Sequence, residues 1–185
     1  AAAMGGALMA ILDITIVNVA LSDIRASFGT PLDQIAWVST GYMMANIVAI
    51  PMSGWFQRRF GFRNYFTASL LLFTAGSALC GVAWDLPSFV AFRVVQGLGG
   101  GAIIPTAQAI LFLRFPQEKQ GIVAGLMATS GAFGPLMGPY IGGVIIDGAS
   151  WHWIFLVNVP FGILAAILIW ENLGEPNFRA PDIRI

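Results

Sequence analysis

Six stretches of this chain hold almost nothing that water would retain: residues 4–24, 35–56, 65–83, 86–113, 122–146 and 153–170. A helix rises ~1.5 Å per residue, so an apolar run of about 20 residues crosses about 30 Å of hydrocarbon. One such run could be the core helix of a soluble domain. Six in series, in 185 residues that are 57% hydrophobic and only 10% charged, leave too little polar surface to face water. The runs lack the period-two alternation of a transmembrane β-strand, so they are read as helices. The first run has no basic start and carries Asp13 in its middle, which argues for a retained span and against a cleaved signal peptide. The expected fold class is therefore an all-α membrane protein with six transmembrane helices.

Charge and cysteine content narrow the function. Nine Lys+Arg balance nine Asp+Glu, leaving no basic surplus for a nucleic-acid backbone. Cys80 has no second cysteine to pair with, and one cysteine plus one histidine cannot build a structural zinc site. No cofactor and no nucleic acid is expected. The segments after the second, fourth and sixth spans hold Arg58, Arg59, Arg63, Arg114, Lys119, Arg179 and Arg184, whereas the alternate segments hold only Arg25. By the positive-inside rule both ends of the chain face the cytoplasm. Trp84, Trp151 and Trp153, with Asp85, Asp147 and His152 beside them, then form an outer aromatic belt. Residues 1–171 are expected to form one six-helix bundle. Residues 172–185, ending in Glu175-Pro176-Asn177-Phe178-Arg179-Ala180-Pro181 and a few more, read as the start of a cytoplasmic connector to further protein.

Each triplet of spans has its intramembrane charge in its first helix: Asp13 in the first span and Arg93 in the fourth. Two three-helix units entering from opposite sides would be an inverted repeat, the build of many secondary transporters. Asp13 stands about nine residues into its span, near mid-membrane, where an ionised carboxylate costs roughly 2.5–3.5 kcal/mol on insertion scales. It either lines a water-filled cavity, binding a cationic substrate or a proton, or is a buried partner for a neighbouring helix. Arg93 shares a helix face with Gln96, Gly97, Gly100 and Gly101, a face that can admit another backbone or a file of water. A guanidinium keeps its proton at accessible pH, so Arg93 either tunes a nearby carboxylate or serves a structural ion pair. Gly97 to Gly101 are not a phosphate loop, because no strand precedes them and the run is apolar.

The fifth span carries Gly131, Gly134, Gly138 and Gly142 as a stripe without side chains, with Pro135 and Pro139 threaded through it. The stripe predicts close helix approach, and the prolines predict a bend near residues 131–135. Gly125 lies on the opposite face and has no packing role in this reading. Cys80 is expected to pack as a small apolar residue. Met43, Met44, Met127 and Met137 offer either adaptable substrate surface or ordinary core filling.

These motifs together resemble the amino-terminal six-helix half of the major facilitator superfamily, and within it the EmrB/QacA type of fourteen-span drug:proton antiporters. Leu12-Asp13-Ile14-Thr15-Ile16-Val17-Asn18-Val19-Ala20-Leu21 is similar to that subfamily's first-span signature, with Ser22 where proline is usual. Residues 54–63 resemble the superfamily's loop between the second and third spans, with Gly54, Arg59, Gly61 and Arg63 in place and Arg58 at its acidic position. Arg93-Val94-Val95-Gln96-Gly97 resembles the fourth-span motif linked to proton coupling. Gly125, Gly134, Gly138-Pro139 and Gly142-Gly143 match the antiporter motif of the fifth span, and Trp151 to Gly162 resembles the sixth-span entry, with His152 where arginine is usual.

The resemblance implies a proton-coupled multidrug exporter of the bacterial inner membrane, with no enzymatic activity, working by alternating access on hydrophobic or cationic compounds. Asp13, Arg93, Gln96 and Asn18 would carry proton coupling or line the substrate cavity, and residues 54–63 would gate the cytoplasmic side. It also implies partners: the EmrB type works with a periplasmic adaptor and an outer-membrane channel, the QacA type alone. Residues 12–18, Trp37, Leu79-Cys80-Gly81 and the Trp151 run stand nearer to EmrB. The competing readings are export of an endogenous metabolite, such as a siderophore or peptide, by the same mechanism, and a non-transporting scaffold on the same fold.

Overall fold

The computed structural model describes residues 2–173. The helices are α1 (Ala2–Phe28), α2 (Leu32–Phe60), α3 (Phe62–Cys80), α4 (Leu86–Arg114), α5 (Gln120–Gly148), α6 (His152–Leu156) and α7 (Asn158–Asn172), with a 3-10 turn at Gln117–Lys119 before α5. The last two form the sixth span, joined through Val157, whose backbone is itself helical. Each predicted span is found as helix; five reach or pass both predicted ends, whereas the third, predicted to residue 83, stops at Cys80. The predicted connector lies outside the described residues from residue 174 on, as do Arg179 and Arg184.

Turn chemistry sets the ends. Gly29 follows α1 with φ 61°, and Gly61 separates α2 from α3 with φ 83°, both backbone conformations that a side chain disfavours. Gly61 also donates its amide to the Gln57 carbonyl at 2.9 Å, so α2 ends and α3 begins within one residue. Asp85 caps α4: its carboxylate accepts the Ser88 amide at 2.8 Å while the Ser88 hydroxyl accepts the Asp85 amide at 3.3 Å. These bonds hold the exposed Asp85 carboxyl below its ordinary pKa.

Five of the spans are long and apolar enough to cross a membrane on composition alone: Ala3–Phe28, Leu32–Phe60, Leu86–Arg114, Gln117–Gly148 and His152–Asn172. The third falls short because α3 is only 19 residues long with Arg63 and Asn64 in its first turn, and it also carries Thr67, Ser69, Thr74 and Ser77 on its buried face. Two of those hydroxyls are satisfied by the helix itself, Ser69 on the Tyr65 carbonyl at 2.8 Å and Thr74 on the Leu70 carbonyl at 2.7 Å. Only Ser77 reaches outside, to the Phe155 carbonyl at 2.9 Å.

The interior has two apolar floors. One joins Ala7, Phe66, Leu70, Phe73, Ile103, Ala107 and Ile169; the other joins Val17, Ile24, Val38, Phe89, Trp151 and Phe155. On α1, α3, α4 and the sixth span a polar residue falls between the two sets. Trp151 therefore leaves the predicted aromatic belt: it is buried edge-on against Phe28 and Phe89, while Trp84 and Trp153 remain exposed. The outer surface is apolar, with Trp37, Ile47, Val48, Leu136 and Phe161 exposed as lipid or further protein would require.

Helix pairing has an internal symmetry. α2 packs on α4 as α5 packs on α1; α3 packs on α4 as α7 packs on α1; and α3 meets α7 while α1 meets α4. Exchanging the first three spans for the last three leaves this set unchanged, the pattern expected of an inverted repeat.

Candidate functional site

Asp13 projects from α1 into the layer between the two floors, where α3, α4 and α7 converge on it. Arg93 Nη1 donates to its Oδ2 at 2.8 Å, and Gln96 Nε2 and Asn158 Nδ2 each donate to its Oδ1 at 2.9 Å. Arg93 Nη1 also reaches Gln96 Oε1 at 2.6 Å, and Asn158 donates onward to Ser77 Oγ at 3.2 Å. The guanidinium lies over the Tyr42 ring of α2, 4.1 Å from its centroid, with the Phe155 ring 5.7 Å away. Asp13 and Arg93 are each 1% exposed. A charge that would cost several kcal/mol alone is tolerated here because an opposite charge and two amides meet it in the same layer.

The sequence singled out Asp13, Arg93 and Gln96, and the fold brings all three into contact. Within residues 2–173 the carboxylate is surrounded by protein, as a buried interhelical partner would be. The face of α4 around Arg93 likewise admits neighbouring protein in place of a file of water. A methyl at Gly97 would stand 2.6 Å from the Tyr42 carbonyl oxygen, and one at Gly101 2.8 Å from the Asn46 backbone. Asn18 does not join the cluster; it is exposed on α1 and accepts a 3.3 Å hydrogen bond from Ser39 of α2. Asn158, Ser77 and Tyr42 were not singled out from the sequence. Their signal was present in one form only, as polar atoms inside apolar runs.

The fifth-span motif divides by face. Gly134, Gly138 and Gly142 lie against Ile11, Thr15 and Ile16 of α1, while Gly125 and Gly143 have open space where a side chain would stand, and Pro139 is exposed. Gly131 has no neighbour either, which removes it from the predicted packing stripe. α5 runs as one helix through Pro135 and Pro139. At the start of α5 an apolar cavity of about 250 Å³ opens toward α1 and α4, with Met4, Leu111, Phe115, Val123 and Lys119 in its lining.

In the predicted gating loop, Gly61 makes the helix-to-helix turn and Arg63 lies 4.5 Å from the ring centroid of Trp170, tying the start of α3 to the end of α7. Arg59 is exposed, its guanidinium 5.8 Å from the Phe60 ring. Gly54 is half-buried, and a methyl there would meet only Arg58, at 4.0 Å.

Six helices with an apolar exterior, an inverted internal repeat and one charged layer at mid-depth define a multi-pass membrane protein of the secondary-transporter class. The chain belongs to the Major Facilitator Superfamily, whose family pattern matches residues 3–182. It is 39% identical over 167 residues to the multidrug export protein EmrB of Haemophilus influenzae, covering 90% of this chain and 33% of that protein. It is 40% identical over 170 residues to multidrug resistance protein 3 of Bacillus subtilis, covering 92% of this chain and 33% of that one. The chain thus spans about a third of the length of these relatives. Its fold matches the crystal structure of a bacterial homologue of the human lysosomal transporter Spinster with a TM-score of 0.83 at 18% identity, over 95% of this chain and 42% of the other.

Proposed function

We propose that these residues are the amino-terminal six-helix part of a proton-coupled exporter of hydrophobic, often cationic compounds, set in a bacterial inner membrane with both ends of the six-helix unit in the cytoplasm. The observation that carries the reading is the Asp13–Arg93 pair, the only buried charges among the described residues. The relatives' names, multidrug export and multidrug resistance, supply the substrate class.

A buried ion pair couples protonation to conformation. If Asp13 takes up a proton, Arg93 is left as an uncompensated buried cation, a state that costs about 3–5 kcal/mol. The bundle escapes that cost by repacking α1 against α4 so that the guanidinium meets water or another acid. One conformation therefore holds the proton more tightly than the other, and a drug that favours the opposite conformation exchanges against it. One proton per neutral drug gains ~2.3 kcal/mol per 100 mV and ~1.4 kcal/mol per pH unit, enough for a drug gradient of a few hundredfold. A periplasmic adaptor and an outer-membrane channel would complete the export path in a Gram-negative host.

Everted membrane vesicles containing the full-length protein test this directly. Once respiration has acidified the lumen, a lipophilic cationic drug is expected to release protons with the wild type, and not with Asp13→Asn or Arg93→Ala. Wild-type vesicles that move no protons across a broad panel of such drugs would overturn the drug:proton reading in favour of a specific metabolite.

A further inference from the structure

The sixth span lacks one backbone hydrogen bond at the level of the ion pair. Pro160 has no amide proton for the Leu156 carbonyl, while Val157 stays helical (φ −61°, ψ −33°) and its amide still bonds to the Trp153 carbonyl at 2.9 Å. The Ser77 hydroxyl holds the Phe155 carbonyl at 2.9 Å beside this missing bond. Gly81 lies against Leu156 and Gly162 against Thr74, so α3 grips the sixth span above and below it. Between these contacts the Asn158 amide donates to Asp13 Oδ1 and to Ser77 Oγ. A continuous path of hydrogen bonds thus runs from the Phe155 carbonyl through Ser77 and Asn158 to the carboxylate.

We infer that Asn158, oriented by Ser77, is a positioning residue for Asp13. Arg93 occupies only Oδ2, so Oδ1 is aimed by Gln96 and Asn158. Gln96 is a weak guide, because it stands one turn from Arg93 on the same helix and its own oxygen is drawn to Arg93. Asn158 is the donor fixed to a different pair of helices. The titratable groups that face the site are Arg93 of α4, Tyr42 of α2 beneath the guanidinium, and Cys80 of α3, whose Sγ is 3.8 Å from Gln96 Oε1. None of the three donates to Asp13 Oδ1 in place of Asn158. The inference depends on the geometry of the pair and not on what is transported.

The test uses the full-length protein in its membrane and dicyclohexylcarbodiimide, a hydrophobic reagent for carboxyl groups, with labelling at Asp13 followed by mass spectrometry and Asp13→Asn as the blank. Loss of one hydrogen bond to a charged acceptor is expected to speed Asp13 labelling about tenfold in Asn158→Ala. Asn158→Leu, which keeps the branched shape and removes the donor, should do the same and carries the test if the alanine variant fails to fold. Ser77→Ala should give a smaller rise. Cys80, fully buried beside the same layer, reports general loosening through its reactivity with N-ethylmaleimide, and it should stay unreactive in all three variants. An unchanged Asp13 rate in both Asn158 variants, or a rise matched by new reactivity at Cys80, would overturn the assignment. Both readouts are independent of drug transport, so they stand whether or not drug:proton exchange is found.

Discussion

A carboxylate and a guanidinium buried at this depth are tolerable only together, which makes their removal strongly non-additive. Arg93→Leu and Asp13→Leu are each expected to lower stability by about 3–5 kcal/mol, because each strands the other charge. The double replacement should recover most of that loss, and thermal unfolding in detergent for the two singles and the double measures the coupling. Asp13 and Arg93 were legible in the sequence for the same reason: a charge in an apolar run is expensive enough to demand an explanation. Ser77 and Asn158 were not, because a small polar residue in a helix can satisfy itself on its own backbone, as Ser69 and Thr74 do here. Nothing in the chain distinguishes Ser77 from those two until α6 is packed against it.

At the level of elements, glycine decides how near two helices come. A methyl at Gly99 would stand 2.5 Å from the Phe73 amide nitrogen and 2.7 Å from the Ser69 carbonyl oxygen, and one at Gly76 would stand 2.6 Å from the Gln96 backbone. Backbone cannot yield as a flexible side chain does, so Gly99→Ala and Gly76→Ala are each expected to cost about 1–3 kcal/mol, read as lowered thermal stability of the full-length protein. Gly125 and Gly143 meet nothing within residues 2–173, so a loss of stability from alanine at either position would measure contacts made by the rest of the protein. The spacing of the fifth-span glycines was readable in the sequence, but their division into a packed face and an open face was not. Helical periodicity places residues on a face without saying which neighbour that face meets.

For the whole molecule, the distribution of basic residues predicts the sidedness of the bundle. Cysteines placed at Arg58 and Lys119 should react with a membrane-impermeant maleimide in everted vesicles and not in spheroplasts, and a cysteine at Trp84 should do the reverse. The native Cys80 gives little background, because it is buried. The opposite pattern would invert the topology proposed above.

The sequence by itself determined that the chain carries six apolar runs long enough to cross a membrane, and that Asp13 and Arg93 need partners. These follow from local quantities: the length of apolar runs and the cost of a charge in hydrocarbon. Only the tertiary structure decided that the two charges are each other's partners, and that they meet in a buried layer joined by Asn158 and Ser77. That choice depends on how α1, α3, α4 and α7 cross, and the crossings are set by close packing between residues about 80 positions apart in the ion pair and 145 apart for Asn158. An apolar run of the right length fixes that a helix spans the bilayer, but not its rotation about its own axis, and it is the rotation that determines what Asp13 faces.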